Sequence, residues 1–445
     1  MTKGGIAGQA AVLPSALIVL DGLGDRPSPD TEGRSPVEAA ETPHLDRLAA
    51  QGEVGEVSIL GPGVAPESDA GVLALLGYDP VRDSPGRGIL EAIGVEIPLR
   101  RGDVALRLNF ATLDRRGRVL DARVGRSLTT AEAHQLARAV TEADLLADAG
   151  IHAEVRATVG HRGVLWLRRR SGGELSPNVS NADPFYEKVG GMGQARHPNE
   201  PRLLAVEPLD ATPEASRTAR ALNLFLERAA GVLARHPVNA ARGRKGEREA
   251  TGLLVRNAGA LPDPPPEPFA HRYGRRGAAV TEMPVERGIA RLLGLEDRFV
   301  GPMGADRQAG YQARAAITRE LLATFPFVYV HLKGPDEPGH DGDARRKREV
   351  IEEIDRGFFG PFLADLDLRG VRVAVTADHA TPCVLRGHSD DPVPWIVAGG
   401  RSTVVPRGHL PKFAAGPRTA RGPAPFPASE VLPRLFGRPS AAPRR

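Results

Sequence analysis

An α/β fold, with a mostly parallel sheet, helices on both faces and a smaller inserted α+β domain, is what this 445-residue sequence predicts. Three observations predict it. Short apolar runs rich in β-branched residues alternate with helical patterns along most of the chain. One stretch, Val104 to Thr112, switches to strict apolar alternation, as a half-exposed strand does. The composition, 41% hydrophobic and 26% charged, is that of a globular chain able to build a large core.

Residues 1–12 read as a loose tail and 15–20 as the first buried strand. Ser35-Pro36-Val37-Glu38 combines an N-cap, a first-turn proline and a glutamate three residues past the cap, so a helix starts there. Thr42-Pro43-His44-Leu45-Asp46 opens a second helix in the same way. Val104, Leu106, Leu108 and Phe110 then alternate, a helix follows from about Thr130 to Ala149, and Gly150 ends it. Two further alternating runs, 152–158 and 164–169, meet at Gly160-His161-Arg162-Gly163. This β-α-β-β unit is expected to be antiparallel and to form an inserted domain over 97–187, between core segments 12–96 and 188–437. Runs at 252–256, 277–281, 326–332, 371–376 and 394–398 are expected as buried parallel strands of the main sheet, with helices at 284–294 and 308–324. Leu261 to Pro268 holds five prolines in eight residues and reads as a stiff connection; Gly437 to Arg445 reads as a frayed end.

Charge and composition exclude several function classes. Lys plus Arg (59) exceeds Asp plus Glu (55) by only four, and aromatics are 4%, so neither a nucleic-acid footprint nor a base-stacking surface is indicated. A single cysteine, Cys383, rules out an internal disulfide framework and fits a reducing, cytoplasmic setting. The early apolar run Ala16 to Leu20 is far shorter than the roughly 20 residues of a membrane span. It passes straight into Asp21-Gly22-Leu23-Gly24, without the small-residue cleavage site of a signal peptide.

Four clusters carry the chemistry. Asp21 ends the first strand; Asp336-Glu337-Pro338-Gly339-His340 follows the 326–332 strand; Asp378-His379 follows the 371–376 strand; His388 lies nine residues beyond His379. Each alone has an ordinary explanation as a turn or cap residue. Together, three strand ends deliver three aspartates, and the loops beside them three histidines, at the edge where open α/β sheets bind ligands. Carboxylate with imidazole suits a divalent ion such as zinc, manganese or cobalt.

With these residues in view, the sequence resembles the cofactor-independent phosphoglycerate mutases of archaeal type, within the alkaline phosphatase superfamily. The matching text runs in order from about residue 15 to 400. It comprises Leu20-Asp21-Gly22-Leu23-Gly24-Asp25-Arg26-Pro27, Thr42-Pro43-His44-Leu45-Asp46, Glu67-Ser68-Asp69 and Leu75-Leu76-Gly77-Tyr78-Asp79-Pro80. It continues through Gly86-Arg87-Gly88 with Glu91-Ala92, Leu108-Asn109-Phe110-Ala111-Thr112 and Gly160-His161-Arg162. It closes with Asp336 to Gly342, Asp378-His379-Ala380-Thr381-Pro382 and His388 to Pro394.

The resemblance implies an alkaline-phosphatase-like core and the interconversion of 3-phosphoglycerate and 2-phosphoglycerate through a phosphoserine at Ser68, in cytoplasmic glycolysis, without 2,3-bisphosphoglycerate. It implies two divalent ions, manganese first, with zinc, cobalt or magnesium as other fits. Asp336, His340 and His388 would hold one ion; Asp21, Ser68, Asp378 and His379 would hold the other. Taken from the residues alone, Ser68 is an ordinary helix N-cap. Retaining a glycerate while its phosphoryl group moves calls for arginines against its carboxylate and phosphate. Arg87, Arg123, Arg126, Arg162 and Arg256, with His161 and Asp183, are the candidates, and the inserted domain would act as a lid. The partner is thus a small phosphorylated molecule, with neither nucleic acid nor membrane.

Four positions depart from the family pattern. Ala70 and Val72 stand where a threonine and a histidine are usual, Phe185 where a histidine is usual, and Arg287 where a lysine is usual. They leave two alternatives open: a related phosphatase or phosphotransferase acting on another small phosphate, and a catalytically inactive metal-binding regulatory protein.

Overall fold

The computed structural model describes residues 13–189, 192–196, 198–400 and 424–437. The tail read at 1–12, and all but Gly437 of the end read at 437–445, lie outside the described residues. The chain divides into two compact units. The first is Met1–Tyr78, Pro268–Glu282 and Gly294–Arg445; the second is Asp79–Glu267 with Met283–Leu293.

In chain order the strands begin with β1 (Ser15–Leu20), β2 (Gly52–Ser58), β3 (Val104–Leu113), β4 (Val119–Asp121) and β5 (Ile151–Ala157). They continue with β6 (Arg162–Arg169), β7 (Tyr186–Val189), β8 (Met192–Ala195), β9 (Gly252–Gly259) and β10 (Gly277–Thr281). The last are β11 (Glu296–Phe299), β12 (Phe327–Leu332), β13 (Arg372–Thr376), β14 (Val393–Gly399) and β15 (Phe426–Pro427).

The first unit is built on an eight-stranded sheet in the order β11-β10-β12-β1-β13-β14-β2-β15. β1 lies at its heart, parallel to β12 on one side and β13 on the other. All six of its residues are buried, which is why Ser-Ala-Leu-Ile-Val-Leu reads as an unbroken apolar run and does not alternate. The helices at Pro36–Ala39, Pro43–Ala49 and Arg307–Leu322 form where the sequence predicts them. At Ser35 the capping box is complete, with Ser35 and Glu38 satisfying each other's backbone N–H groups.

Two strand expectations are corrected, and the helix expected from Thr130 to Ala149 ends at Glu142. β14, expected parallel, runs antiparallel to both β13 and β2. The connection 377–392 contains no helix, so the chain returns without the crossover that a parallel strand needs. The 252–256 run, expected in the main sheet, forms β9 and pairs antiparallel with β3 in the second unit. Burial on both faces explains the misplacement. Leu253 and Val255 pack in one apolar cluster with the long helix Pro213–Leu233, and Leu254 packs in another with Ala111 and Val119. An apolar run reports burial and says nothing of which sheet supplies it.

The second unit therefore extends beyond the expected 97–187. Its five-stranded sheet joins β4, β3, β6, β5 and β9, with every pairing antiparallel. It also includes the helices Arg87–Gly94, Pro213–Leu233 and Pro284–Leu292.

Candidate active site

The carboxyl ends of β12, β1 and β13, three adjacent parallel strands, assemble the first half of the site. β1 runs into Asp21, β13 into Asp378 and His379, and β12 into Lys333 and then the short helix Asp336–Asp341. The ligand atoms of Asp21, Asp378 and His379 lie within 4.8 Å of one another, as do those of Asp336, His340 and His388. In the first group His379 Nε2 is 3.4 Å from Asp21 Oδ1 and 3.5 Å from Asp378 Oδ2. In the second, both His340 Nε2 and His388 Nε2 are 3.5 Å from Asp336 Oδ1.

The donor set fits divalent ions. Asp21 Oδ1 and Asp378 Oδ2 are buried and accept no hydrogen bond, a costly condition for carboxylate oxygens unless a cation satisfies them. His388 Nδ1 lies 2.8 Å from Pro66 O, and His340 Nδ1 3.3 Å from Arg386 O. A carbonyl only accepts, so both nitrogens are donors and each Nε2 is left for the cluster, the arrangement found around metal-binding imidazoles.

Electrostatics are those of a crowded acidic site. Burial works against the Asp21 charge, but the Lys333 ammonium 2.9 Å away, with His331 and His379, holds its carboxyl well below the usual range. Burial and Asp21 raise Asp336, and His388 and His379 outweigh them, so it is held low. Asp378 is pushed up by burial, with Asp21 adding to the shift. Burial alone would lower His388; the Asp336 carboxylate, Glu67 and the Pro66 carbonyl raise it to about 10.

Ser68 opens the helix Ser68–Leu75, and the N-cap is Glu67. Its hydroxyl is therefore not the capping group and lies 3.3 Å from His379 Nε2. Gly71, one turn on, lets the helix sit this close. A Cβ there would come within 2.2 Å of the Asp378 carbonyl oxygen.

The second unit gathers arginines. Arg87 Nε lies 3.1 Å and Arg107 Nε 3.4 Å from the same Glu91 oxygen. Arg256 pairs with Asp183, both almost fully buried, and stacks 4.0 Å over the Tyr186 ring. Arg107 is lowered to about 9 by burial and by Arg87, Arg256 and Arg162, with Glu91 opposing. His161 is lowered to about 3 by burial and by Arg162, Arg123, Arg107 and Arg256. The Nε groups of Arg107 and Arg256 are buried and donate to no acceptor. Five guanidinium groups against two carboxylates leave an excess of positive charge and of donors, the make-up of an anion receptor.

Of the predicted residues, Asp21, Ser68, Asp336, His340, Asp378, His379 and His388 thus come together in the first unit. Arg87, Arg123, His161, Arg162, Asp183 and Arg256 come together in the second. Arg126 is exposed in the same turn as Arg123. Sequence reasoning missed Arg107, Glu91, Lys333 and Thr381. Arg107 had a signal: it is the one charged residue of β3, on the face opposite Leu106 and Leu108.

Of the family departures, Ala70 and Val72 stand two and four residues past Ser68 on its helix, and Phe185 N donates to Asp183 Oδ1 at 3.0 Å. Val72 and Ala70 are buried in the Ser68 helix, and Phe185 packs with Ala111, Val119 and Leu254. Arg287 donates to Gly94 O at 2.9 Å and pairs with Glu96. Among the described residues no helix is long and apolar enough to cross a membrane.

Residues 49–239 match the model of the 2,3-bisphosphoglycerate-independent phosphoglycerate mutase family. A mutase of that name from Aeropyrum pernix is 48% identical over 86% of this chain and 89% of its own length. Another, from Methanopyrus kandleri, is 41% identical over 89% and 93%. Among solved structures, the cofactor-independent phosphoglycerate mutase of Thermoplasma acidophilum is similar at a TM-score of 0.61 and 31% identity, covering 96% of this chain and 99% of that one. A protein of Pyrococcus horikoshii is similar at 0.75 and 28%, covering 97% and 100%.

Proposed function

The chain belongs to the 2,3-bisphosphoglycerate-independent phosphoglycerate mutases, enzymes with close archaeal relatives, and we propose that it interconverts 3-phosphoglycerate and 2-phosphoglycerate through a phosphoserine at Ser68. The observation that carries this reading is the Ser68 hydroxyl facing His379 Nε2 beside two acid–imidazole clusters on adjacent strand ends.

Asp336, His340 and His388 would hold one divalent ion, and Asp21, Asp378 and His379, with Ser68, the other. Bound there, such ions supply positive charge that eases deprotonation of a nearby hydroxyl and offsets charge on a phosphoryl group in transit. Ser68 Oγ forms its bond to phosphorus as the bond to the glycerate C3 oxygen breaks. The serine loses its proton and the C3 oxygen gains one. The return step runs the same way in reverse, onto the C2 oxygen, so atoms and protons balance over the cycle.

Between the two steps the glycerate has to be retained. Its carboxylate, and the phosphate before and after transfer, match the arginine cluster of Arg87, Arg107, Arg162 and Arg256, with Arg123 at its edge. His161 stays neutral among them and serves as a hydrogen-bonding group. We assign retention to this second unit, as a lid domain, and phosphoryl transfer to the first.

Phosphorus NMR of the purified protein with manganese and 3-phosphoglycerate, with no bisphosphoglycerate added, tests the reading. The expected result is a growing 2-phosphoglycerate signal. Release of inorganic phosphate alone would replace it with a phosphatase, and no change with any small phosphoester with an inactive protein.

A further inference from the structure

Resting on the two-ion reading above, we propose that Thr381 is a positioning residue that couples the two ion sites through one ordered chain of hydrogen bonds. Its hydroxyl lies 3.0 Å from His379 Nδ1 and 2.8 Å from Asp336 Oδ1. His379 belongs to one acid–imidazole cluster and Asp336 to the other.

Proton counting fixes the direction of the chain. A hydroxyl has one proton, and a carboxylate only accepts. The Thr381 proton is therefore directed at Asp336, leaving an oxygen lone pair toward His379. His379 Nδ1 is then the protonated nitrogen, and Nε2 carries its lone pair into the cluster of Ser68, Asp21 and Asp378. One hydroxyl thus sets the tautomer of a ligand in one site and the orientation of the carboxylate in the other.

The surroundings are built around this contact. Thr381 is fully buried. Its N–H donates to Gly24 O at 2.9 Å, and its carbonyl accepts from Lys347 Nζ at 2.9 Å. Lys347 is itself fully buried and pairs with Asp25 at 2.8 Å, so the loop bearing Thr381 is tied to the loop after β1. Gly22 sits at φ +62°, and a Cβ there would lie 2.6 Å from Thr381 Oγ1 and 2.8 Å from Asp336 Cβ. The chain omits a side chain where the hydrogen bonds pass.

The test is a manganese titration of the full chain, stripped with chelator, with free Mn²⁺ read by electron paramagnetic resonance. Wild type is expected to bind two ions. Thr381→Val keeps the shape and removes the hydroxyl; it should weaken both ions by roughly ten- to a hundredfold, and Thr381→Ser should restore both. If the valine variant weakens only one ion or neither, or serine fails to restore them, the coupling is overturned. If wild type itself binds fewer than two ions, the two-ion reading fails first and the proposal with it. A second measurement needs no variant. Nitrogen-15 NMR of the histidines in the zinc-loaded wild type should show His379 protonated at Nδ1, and a proton on Nε2 would overturn the proposal whatever the variants do.

Discussion

His388 and His161 are both largely buried imidazoles, and their surroundings shift them in opposite directions. In the first unit, Asp336, Glu67 and the Pro66 carbonyl raise His388 to about 10 against the effect of burial. In the second, burial, Arg162 and Arg123 lower His161 to about 3. One region gathers acceptors in excess and the other donors in excess. On the proposed reading a cation completes the first and an anion the second. The proposed mechanism uses both: ions and a nucleophile for the phosphoryl group, and guanidinium groups for the acid that waits while the group is moved.

The sharpest way to break this contrast is to remove the nucleophile. Ser68→Ala should lower turnover of 3-phosphoglycerate by about 10³-fold or more, while both ions still bind. Steady-state kinetics without added bisphosphoglycerate, together with a metal titration, checks both parts. Retention of more than a few per cent of the rate would show that Ser68 is not the carrier.

Removing the cations should act on the first unit alone. Exhaustive chelation is expected to abolish turnover, and manganese or cobalt to restore it. Full activity in protein shown metal-free by elemental analysis contradicts this. Anion binding by the second unit, followed by isothermal titration with inorganic phosphate, should survive chelation.

The two regions were unequally legible in the sequence. Asp21, Asp336 to His340 and Asp378-His379 sit in short motifs just after strands, and His388 in the loop beyond them, so strand periodicity and topology pointed to them. The arginine cluster draws single residues from 87, 107, 123, 162 and 256, on a helix, strands and a turn. In a chain rich in arginine no local pattern marks them. Arg107 shows the limit: its partner Glu91 is on another element, and only the β3 pairing with β6 and β9 makes its neighbours known. β9 failed for the same reason, because tertiary pairing and not local pattern chose its sheet. Thr381 lay in plain view within a recognised motif, but its role depends on Asp336 across the site.

Acidity sharpens the contrast next. Below about pH 10, His388 carries a proton that a bound ion must displace. Manganese affinity should therefore fall as pH drops from 8 to 6, by up to about tenfold per unit, and activity at limiting metal with it. In metal-free protein the sign reverses. The raised His388 contributes stability that is full below about pH 6.5 and lost as pH climbs through about 10. A flat manganese titration from pH 8 to 6 would contradict the assignment.

The smallest expected effect belongs to His161. Its folded form resists protonation down to about pH 3, whereas the unfolded chain takes up a proton below about 6.5. Stability should therefore decline as pH falls from 6.5 toward 4, and His161→Gln should flatten that part of the profile. Urea midpoints across this range measure it; an unchanged slope would mean that the arginines do not bear on His161.

The division of labour itself is tested most directly by a ratio of rates in one variant. On the proposed reading Arg162→Ala removes a charge-assisted contact to the substrate, worth roughly 2–4 kcal/mol, or about 30- to 1000-fold. Under identical manganese, isomerisation of 3-phosphoglycerate should fall by at least the lower factor, while hydrolysis of para-nitrophenyl phosphate, which needs only the first unit, changes little. Equal loss of both rates, or loss of neither, would contradict it.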